Sequence, residues 1–337
     1  MCSRFALSLV IILLVGGLAP AAETFTNPIA ASGADPWVIR HGEDYFYIQS
    51  KGARNISVTR AASPVDIEKS PSINIWTPPT GQPYSHGVWA PELHYLQNKW
   101  YVYFAADDGD IKNHRTYVLE GSSQNPQDPF LFRGELKLPE DRWAIDGNVL
   151  TLSNRMFFLW SGWSGTSNVD QRIYIAEMSD PLTVQGARVC LSFPHYDWEK
   201  RDGPPWINEA PQALQQGGRL FIIYSAAGSW ADNYCLGQLT FTGGDPLRAE
   251  SWTKKPVPVF SRSAEVFGPG HGCFVKSPDG QEDWMVYHAA KHRGAGWNRN
   301  LRAQKFTWQA DGSPDFGIPV PAGTPLPAPS DRRSRLP

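Results

Sequence analysis

The chain repeats itself. Five stretches share one plan: "ADPWVIRHGEDYFYIQS", "WAPELHYLQNKWYVYFAAD", "IDGNVLTLSNRMFFLWSGW", "EAPQALQQGGRLFIIYSAA" and "GHGCFVKSPDGQEDWMVYHAA". In each, a polar or small anchor residue precedes Pro or Gly. A short apolar run, a polar turn and an aromatic-rich strand follow. With Asp35, Ala90, Asp146, Ala210 and His271 as anchors, the second strand opens ten positions on in four copies, at Tyr45, Trp100, Met156 and Leu220. In the fifth it opens later, near Trp284, because "SPDG" lengthens the turn. The anchors lie 55, 56, 64 and 61 residues apart.

Each copy therefore carries a β-hairpin with a turn rich in Gly, Asn and Asp. Further short strands follow, such as "RTYVLEGS" and "QRIYIAEMS", and helix signals are weak throughout. Units of this size, each a small antiparallel sheet, fit the blades of a propeller. The expectation is an all-β, five-bladed β-propeller over residues 23–318, with a Pro-rich tail, 319–337, that finishes the last blade and then runs extended or disordered. A plain β-sandwich has no reason to keep the ten-residue offset. In a propeller the first strand of every blade lines a central channel, and the strand starts meet at one mouth. Asp35, Asp146, Glu209 (one position before its anchor) and His271 then face one small cavity.

That convergence gives meaning to otherwise ordinary residues. Taken singly, "ADPW" and "IDGN" read as turns in which an Asp bonds its own backbone. Glu209, just ahead of a buried strand, would be a costly carboxylate without a partner. Placed together, the three acids raise one another's pKa, so at least one keeps its proton while Asp35 and Asp146 serve as ionised partners. This is the division of labour of glycoside hydrolysis: one carboxylic acid protonates the leaving oxygen, while a carboxylate activates water or attacks the sugar carbon.

Composition narrows the partners. With 31 basic against 33 acidic residues, nothing marks a nucleic-acid or anionic-membrane surface. The 14 Trp, 12 Tyr and 16 Phe suit both sheet cores and sugar-stacking faces. The opening "MCSRFALSLVIILLVGGLAPAAETF" reads as a secretory signal peptide over 1–22, cut near Ala21 or Ala22; its apolar run is short for a membrane span. The mature chain is expected to be secreted, extracellular or periplasmic, with no membrane contact. Cys190, Cys235 and Cys273 then remain; they allow at most one disulfide, fit no zinc spacing, and read as structural.

At this point the motifs resemble those of glycoside hydrolase family 43, the propeller arabinanases, arabinofuranosidases and xylosidases, from "TNPI" to "RAQKFTW". "ADPWVI" is similar to the family's general-base motif and implies that role for Asp35. "AIDGNV" implies that Asp146 modulates a pKa, and "NEAPQAL" that Glu209 is the general acid. "GPGHGCF" is similar to the segment whose histidine, here His271, lies near a central metal or water cluster, which implies a calcium ion in the channel. "RAQ" implies a substrate-facing Arg302. The resemblance implies inversion of configuration. Among its branches "VWAPELHYLQNKWYVYFAADDG", "HRTYVLEGSSQNP", "IYIAEMSDP" and "NYCLGQLT" look most like secreted α-L-arabinofuranosidases acting on arabinan or other arabinose-containing plant polysaccharide. The β-xylosidases, the endo-arabinanases and a non-catalytic sugar-binding propeller are the alternatives. Trp89 and Trp163 are either sugar-stacking or core residues. Glu92 is either a channel hydrogen-bonding group or a rim salt bridge. "DWEKRDGPPW" is a loop at the pocket with charges expected in solvent. Many relatives carry Gly where Ala210 stands, and its methyl is expected to matter little.

Overall fold

The structure is a computed structural model that describes residues 23–331. The expected signal peptide lies outside the described residues. Five four-stranded antiparallel sheets run through the chain, each with its strands in sequence order. They span 37–76, 86–135, 144–192, 208–254 and 267–315, and are blades 1 to 5 of a five-bladed propeller. No α-helix occurs among the described residues; two short 3₁₀ turns, Ile111–Asn113 and Ala249–Ser251, are the helical elements there.

The second strand of each blade explains why the copies are so aromatic. In Lys99–Asp107 every residue after Lys99 is buried, and Arg219–Ala226 behaves alike after Arg219. A blade packs neighbours on both faces, so its middle strands read as continuous apolar runs rather than alternating ones. The cores accordingly lie between blades. Phe46, Ile48 and Val58 of blade 1 pack on Trp100, Val102 and Phe104 of blade 2. Tyr103 and Val118 of blade 2 meet Phe158 and Trp160 of blade 3. Phe157 and Leu159 meet Ile222 and Tyr224 of blade 4, and Phe221 and Ile223 meet Met285 and Tyr287 of blade 5.

Blade 5 returns to blade 1 through Val275, Trp284 and Val286 against Tyr45 and Tyr47. Both chain ends tie this seam. The side chain of Asn27 donates to the Ala303 carbonyl and accepts the Ala303 N–H, both at 2.9 Å. Thr24–Thr26 pairs antiparallel with Pro325–Pro327. The segment after 318 is therefore not a loose tail as far as 331. Arg302 Nη1 donates to the Val320 carbonyl, and the Ser330 amide to Glu282. Composition marks the Pro-rich stretch, but the strand partner of Pro325–Pro327 is Thr24–Thr26 at the other end of the described chain, which leaves no local pattern. Cys190, Cys235 and Cys273 are free thiols.

Candidate active site

The five anchors share a backbone conformation. Asp35, Ala90, Asp146, Ala210 and His271 have φ of 48°, 43°, 55°, 51° and 47°. Left-handed backbone is uncommon for non-glycine residues and costs about 1–3 kcal/mol each. In four blades the ladder slips at the anchor: between Trp89 and Glu92, Ile145 and Asn148, Glu209 and Gln212, and Gly270 and Cys273. These are β-bulges, which re-aim side chains at a strand end. In a regular strand consecutive side chains face opposite ways. Here the bulge turns both the anchor and its predecessor into the mouth, so Asp35, Asp146 and His271 share one cavity with Glu209, Trp89 and Ile145. The Pro or Gly after each anchor also has a local cause. Pro has no N–H for the broken ladder to lose, and a Cβ on Gly147 would come 2.3 Å from the Phe158 ring.

The amides of the anchors find side chains. Ala210 N–H donates to Asp146 Oδ2 at 2.9 Å, Asp35 N–H to His288 Nδ1 at 3.0 Å, and His271 N–H to Ser225 Oγ at 2.9 Å. Asp146 thus holds the backbone beside Glu209. From behind, Asn208 is fixed by Glu199 at 3.0 Å and by Ser192 at 2.6 Å. Glu199 also accepts from the His195 and Tyr196 amides, from Tyr224 and from Lys254 Nζ. It is fully buried, against the expectation that the charges of "DWEKRDGPPW" lie in solvent. Five donors offset its desolvation, and none of them is visible in the loop's own composition. Pro205 of the same loop does line the cavity.

The cavity holds about 570 Å³, within the range of small-molecule sites. Its three acids are driven apart electrostatically. Burial opposes the charge on Asp35, but the His271 imidazole at 3.2 Å outweighs it and holds the carboxyl well below its usual range. Arg299 Nη1 stands 3.4 Å from the same oxygen. Burial likewise opposes charge on His271, yet Asp35 pulls its pKa up to about 9, so the pair is ionic. Burial raises Glu209, against the Tyr234 hydroxyl that donates to Oε1 at 2.7 Å. Burial, reinforced by Glu209 and Asp35, pushes Asp146 up to about 8. The expectation of an ionised Asp146 is corrected here. Two buried carboxyls in one cavity titrate as a pair, and the pair keeps a proton near neutrality.

Two positions past each anchor lies a second ring: Trp37, Glu92, Asn148, Gln212 and Cys273. Asn148 Nδ2 and Gln212 Nε2 both donate to the Glu92 carboxylate, and His94 Nε2 stands 3.0 Å from it. Glu92 is 1% exposed, a channel residue and not a rim salt bridge. The fixed offset from the anchors could have revealed this layer.

Trp89 and Trp163 both line the cavity. Trp89 stacks on His114 with centroids 4.0 Å apart, and Trp163 on Trp143 at 5.1 Å. Arg302 does not reach it. Its guanidinium is buried and bonded to Asn300 and to the Val320 carbonyl. The arginine in the cavity wall is Arg299, three residues earlier on the same strand. A calcium ion finds poor donors. His271 Nδ1 stands 3.2 Å from Asp35 Oδ1. His288 Nδ1 accepts an amide, so its proton sits on Nε2, a buried donor without a partner among the described residues. No three His, Cys, Asp or Glu side chains among the described residues are placed to hold an ion. Side chains alone therefore build no calcium site among the described residues.

Comparison with known proteins agrees with this geometry. The family model for glycosyl hydrolases family 43 matches residues 25–314. An extracellular exo-α-(1→5)-L-arabinofuranosidase of Streptomyces avermitilis is 36% identical over 91% of this chain and 67% of its own. A protein of the same description from Streptomyces chartreusis is 33% identical over 83% of this chain and 86% of its own. The crystal structure of an α-L-arabinofuranosidase from Lactobacillus brevis superposes with a TM-score of 0.83 at 33% identity, covering 89% of this chain and 98% of that one. No helix among the described residues is long and apolar enough to cross a membrane. With a family model matched along nearly all of the propeller and a channel mouth lined by carboxyls at the repeat positions, the chain belongs to glycosyl hydrolases family 43 and is a glycoside hydrolase.

Proposed function

We propose that this chain is a secreted, inverting α-L-arabinofuranosidase that releases terminal L-arabinofuranose from arabinan or arabinose-substituted plant polysaccharide. The single observation that carries the mechanism is the opposed electrostatics of acids in one cavity: Asp35 is kept ionised by His271, whereas Glu209 is pushed toward its protonated form. Pairs of titratable groups driven apart in this way divide into base and acid. Asp35 removes a proton from a water, and that water attacks the anomeric carbon. Glu209 gives its proton to the departing oxygen. Because Tyr234 donates to Oε1, Oε2 is left to carry that proton. Asp146 orients the acid through the Ala210 amide and keeps a proton in the pair. The substrate assignment rests on the similarity to the arabinofuranosidases named above.

The test is parallel hydrolysis of aryl α-L-arabinofuranoside and aryl β-D-xyloside, with the first-formed anomer read by NMR. Arabinofuranoside cleavage with inversion is expected. Preferential xyloside cleavage would replace the substrate, and retention would overturn the roles of Asp35 and Glu209.

A further inference from the structure

Tyr234 touches the supports of both the acid and the base. It is 1% exposed and does not line the cavity, so it reaches a substrate only through its neighbours. Its hydroxyl donates to Glu209 Oε1 at 2.7 Å, the one hydrogen bond that this carboxyl receives among the described residues. Its ring lies nearly parallel to the His288 imidazole, with centroids 5.7 Å apart and planes at 14°. His288 Nδ1 in turn accepts the Asp35 amide at 3.0 Å. Burial pushes His288 down to about 3, so the imidazole is neutral and Nδ1 stays an acceptor. The Arg299 guanidinium lies 5.6 Å from the centre of the Tyr234 ring, and its Nη1 lies 3.4 Å from Asp35 Oδ1.

The neighbouring blade is shaped around this ring. Four anchors are preceded by Ala34, Trp89, Ile145 and Glu209, but the fifth, His271, is preceded by Gly270. A Cβ on Gly270 would come 2.2 Å from Tyr234 Cε1, so even alanine there displaces the ring. The hydroxyl also has a chemical consequence. Burial and Asp35 raise the Glu209 carboxyl, whereas Tyr234, His271 and Arg299 act the other way, and Asp146 shares the proton. A donor to the ionised form makes a stronger acid, which matters most when the departing oxygen is a poor leaving group. Burial holds the Tyr234 phenol well above its ordinary range, so it remains a donor.

We propose that Tyr234 is a positioning residue of the reaction: its hydroxyl fixes Glu209 with Oε2 free for the leaving oxygen, and its ring, seated on His288 in the space left by Gly270, ties the acid to the base. The proposal deepens the proposed function and rests on its assignment of Glu209 as acid and Asp35 as base.

The experiment measures kcat and the kcat/KM pH profile of Tyr234→Phe on arabino-oligosaccharide and on a dinitrophenyl arabinofuranoside, whose phenolate departs without a proton. Tyr234→Phe keeps the ring and removes the donor. It is expected to lose roughly tenfold or more in kcat on the oligosaccharide, to lose far less on the aryl substrate, and to move the basic limb of the profile to higher pH. Tyr234→3-fluorotyrosine, the same ring with a stronger donor, is expected to move that limb to lower pH, and it decides alone if the Phe variant does not fold. Equal losses on the two substrates with the limb unmoved mark a merely structural side chain and overturn the proposal, as does no loss at all or an unmoved limb in the fluorinated enzyme. Glu209→Gln run alongside separates the two readings. If it shows no leaving-group dependence, the acid assignment fails; if it does and Tyr234→Phe does not, the role of Tyr234 alone fails.

Discussion

At the scale of single residues, the roles of the acids separate by leaving group. A general acid contributes most when the departing oxygen is a poor leaving group, and typical contributions are about 10²–10⁴-fold. Glu209→Gln is expected to lose roughly that factor in kcat on arabino-oligosaccharide and far less on a dinitrophenyl arabinofuranoside, which needs no proton. Asp35→Asn should lose a similar factor on both, because both need the water activated. Equal losses on the two substrates for Glu209→Gln would remove it from the acid role. His271 sets the other limit. Replacing it with Asn takes away the cation that holds Asp35 low, so the acid limb of the kcat/KM profile moves to higher pH. The stability sign follows separately. His271 rises from 6.5 to about 9 on folding, so its contribution is complete below pH 6.5 and is lost as the pH climbs through 9. Thermal melts of the parent should fall across that window, and those of His271→Asn should stay flatter. The acids were legible because Asp35 and Asp146 recur at one repeat position and Glu209 stands immediately before it. Arg299 was not, since "RNLR" offers two arginines and the sequence does not reveal which one the strand turns inward.

At the scale of the element, the anchors were visible as a recurring small or polar residue before Pro or Gly, but the cause was hidden. That cause is a left-handed backbone at all five strand starts, which no pairwise periodicity announces. It changes the reading of Ala210. Its methyl matters through φ, not through crowding of the acid. Ala210→Gly removes a backbone penalty of about 1–2 kcal/mol and adds about 0.5–1 kcal/mol of chain entropy cost. The expected net change is small and toward stability, with kcat kept because the amide that bonds Asp146 remains. Ala210→Val puts a β-branched residue at the same φ in a buried site and should cost about 1–3 kcal/mol or more, read as a drop in the urea midpoint. If Gly destabilises as much as Val, the strain account of the anchors fails. The channel layer of Glu92, Asn148 and Gln212 sits two positions past the same anchors, so it was present in the repeat and passed over. A buried glutamate reads as rim until its amide partners, 56 and 120 residues away, are in view.

At the scale of the whole molecule, ring closure decides stability, and it uses residues that look dispensable in sequence. A chain ending at 318 keeps all five blades but loses the strand paired with Thr24–Thr26 and the carbonyl of Val320. Arg302 is then left with a buried guanidinium donor unsatisfied. A lost partner of this kind costs about 1–3 kcal/mol, and more for a charged group. The truncated chain should therefore unfold at clearly lower urea than the full one. The sign of a second change tests the cause. In the full chain Arg302→Met removes two satisfied hydrogen bonds and should destabilise. In the truncated chain the same substitution removes a buried, unpaired donor and should recover part of the loss. A substrate-facing Arg302 would behave otherwise, with catalysis lost, stability kept and no dependence on the tail. Measuring urea midpoints of the four chains thus separates an arginine that closes the ring from one that binds sugar.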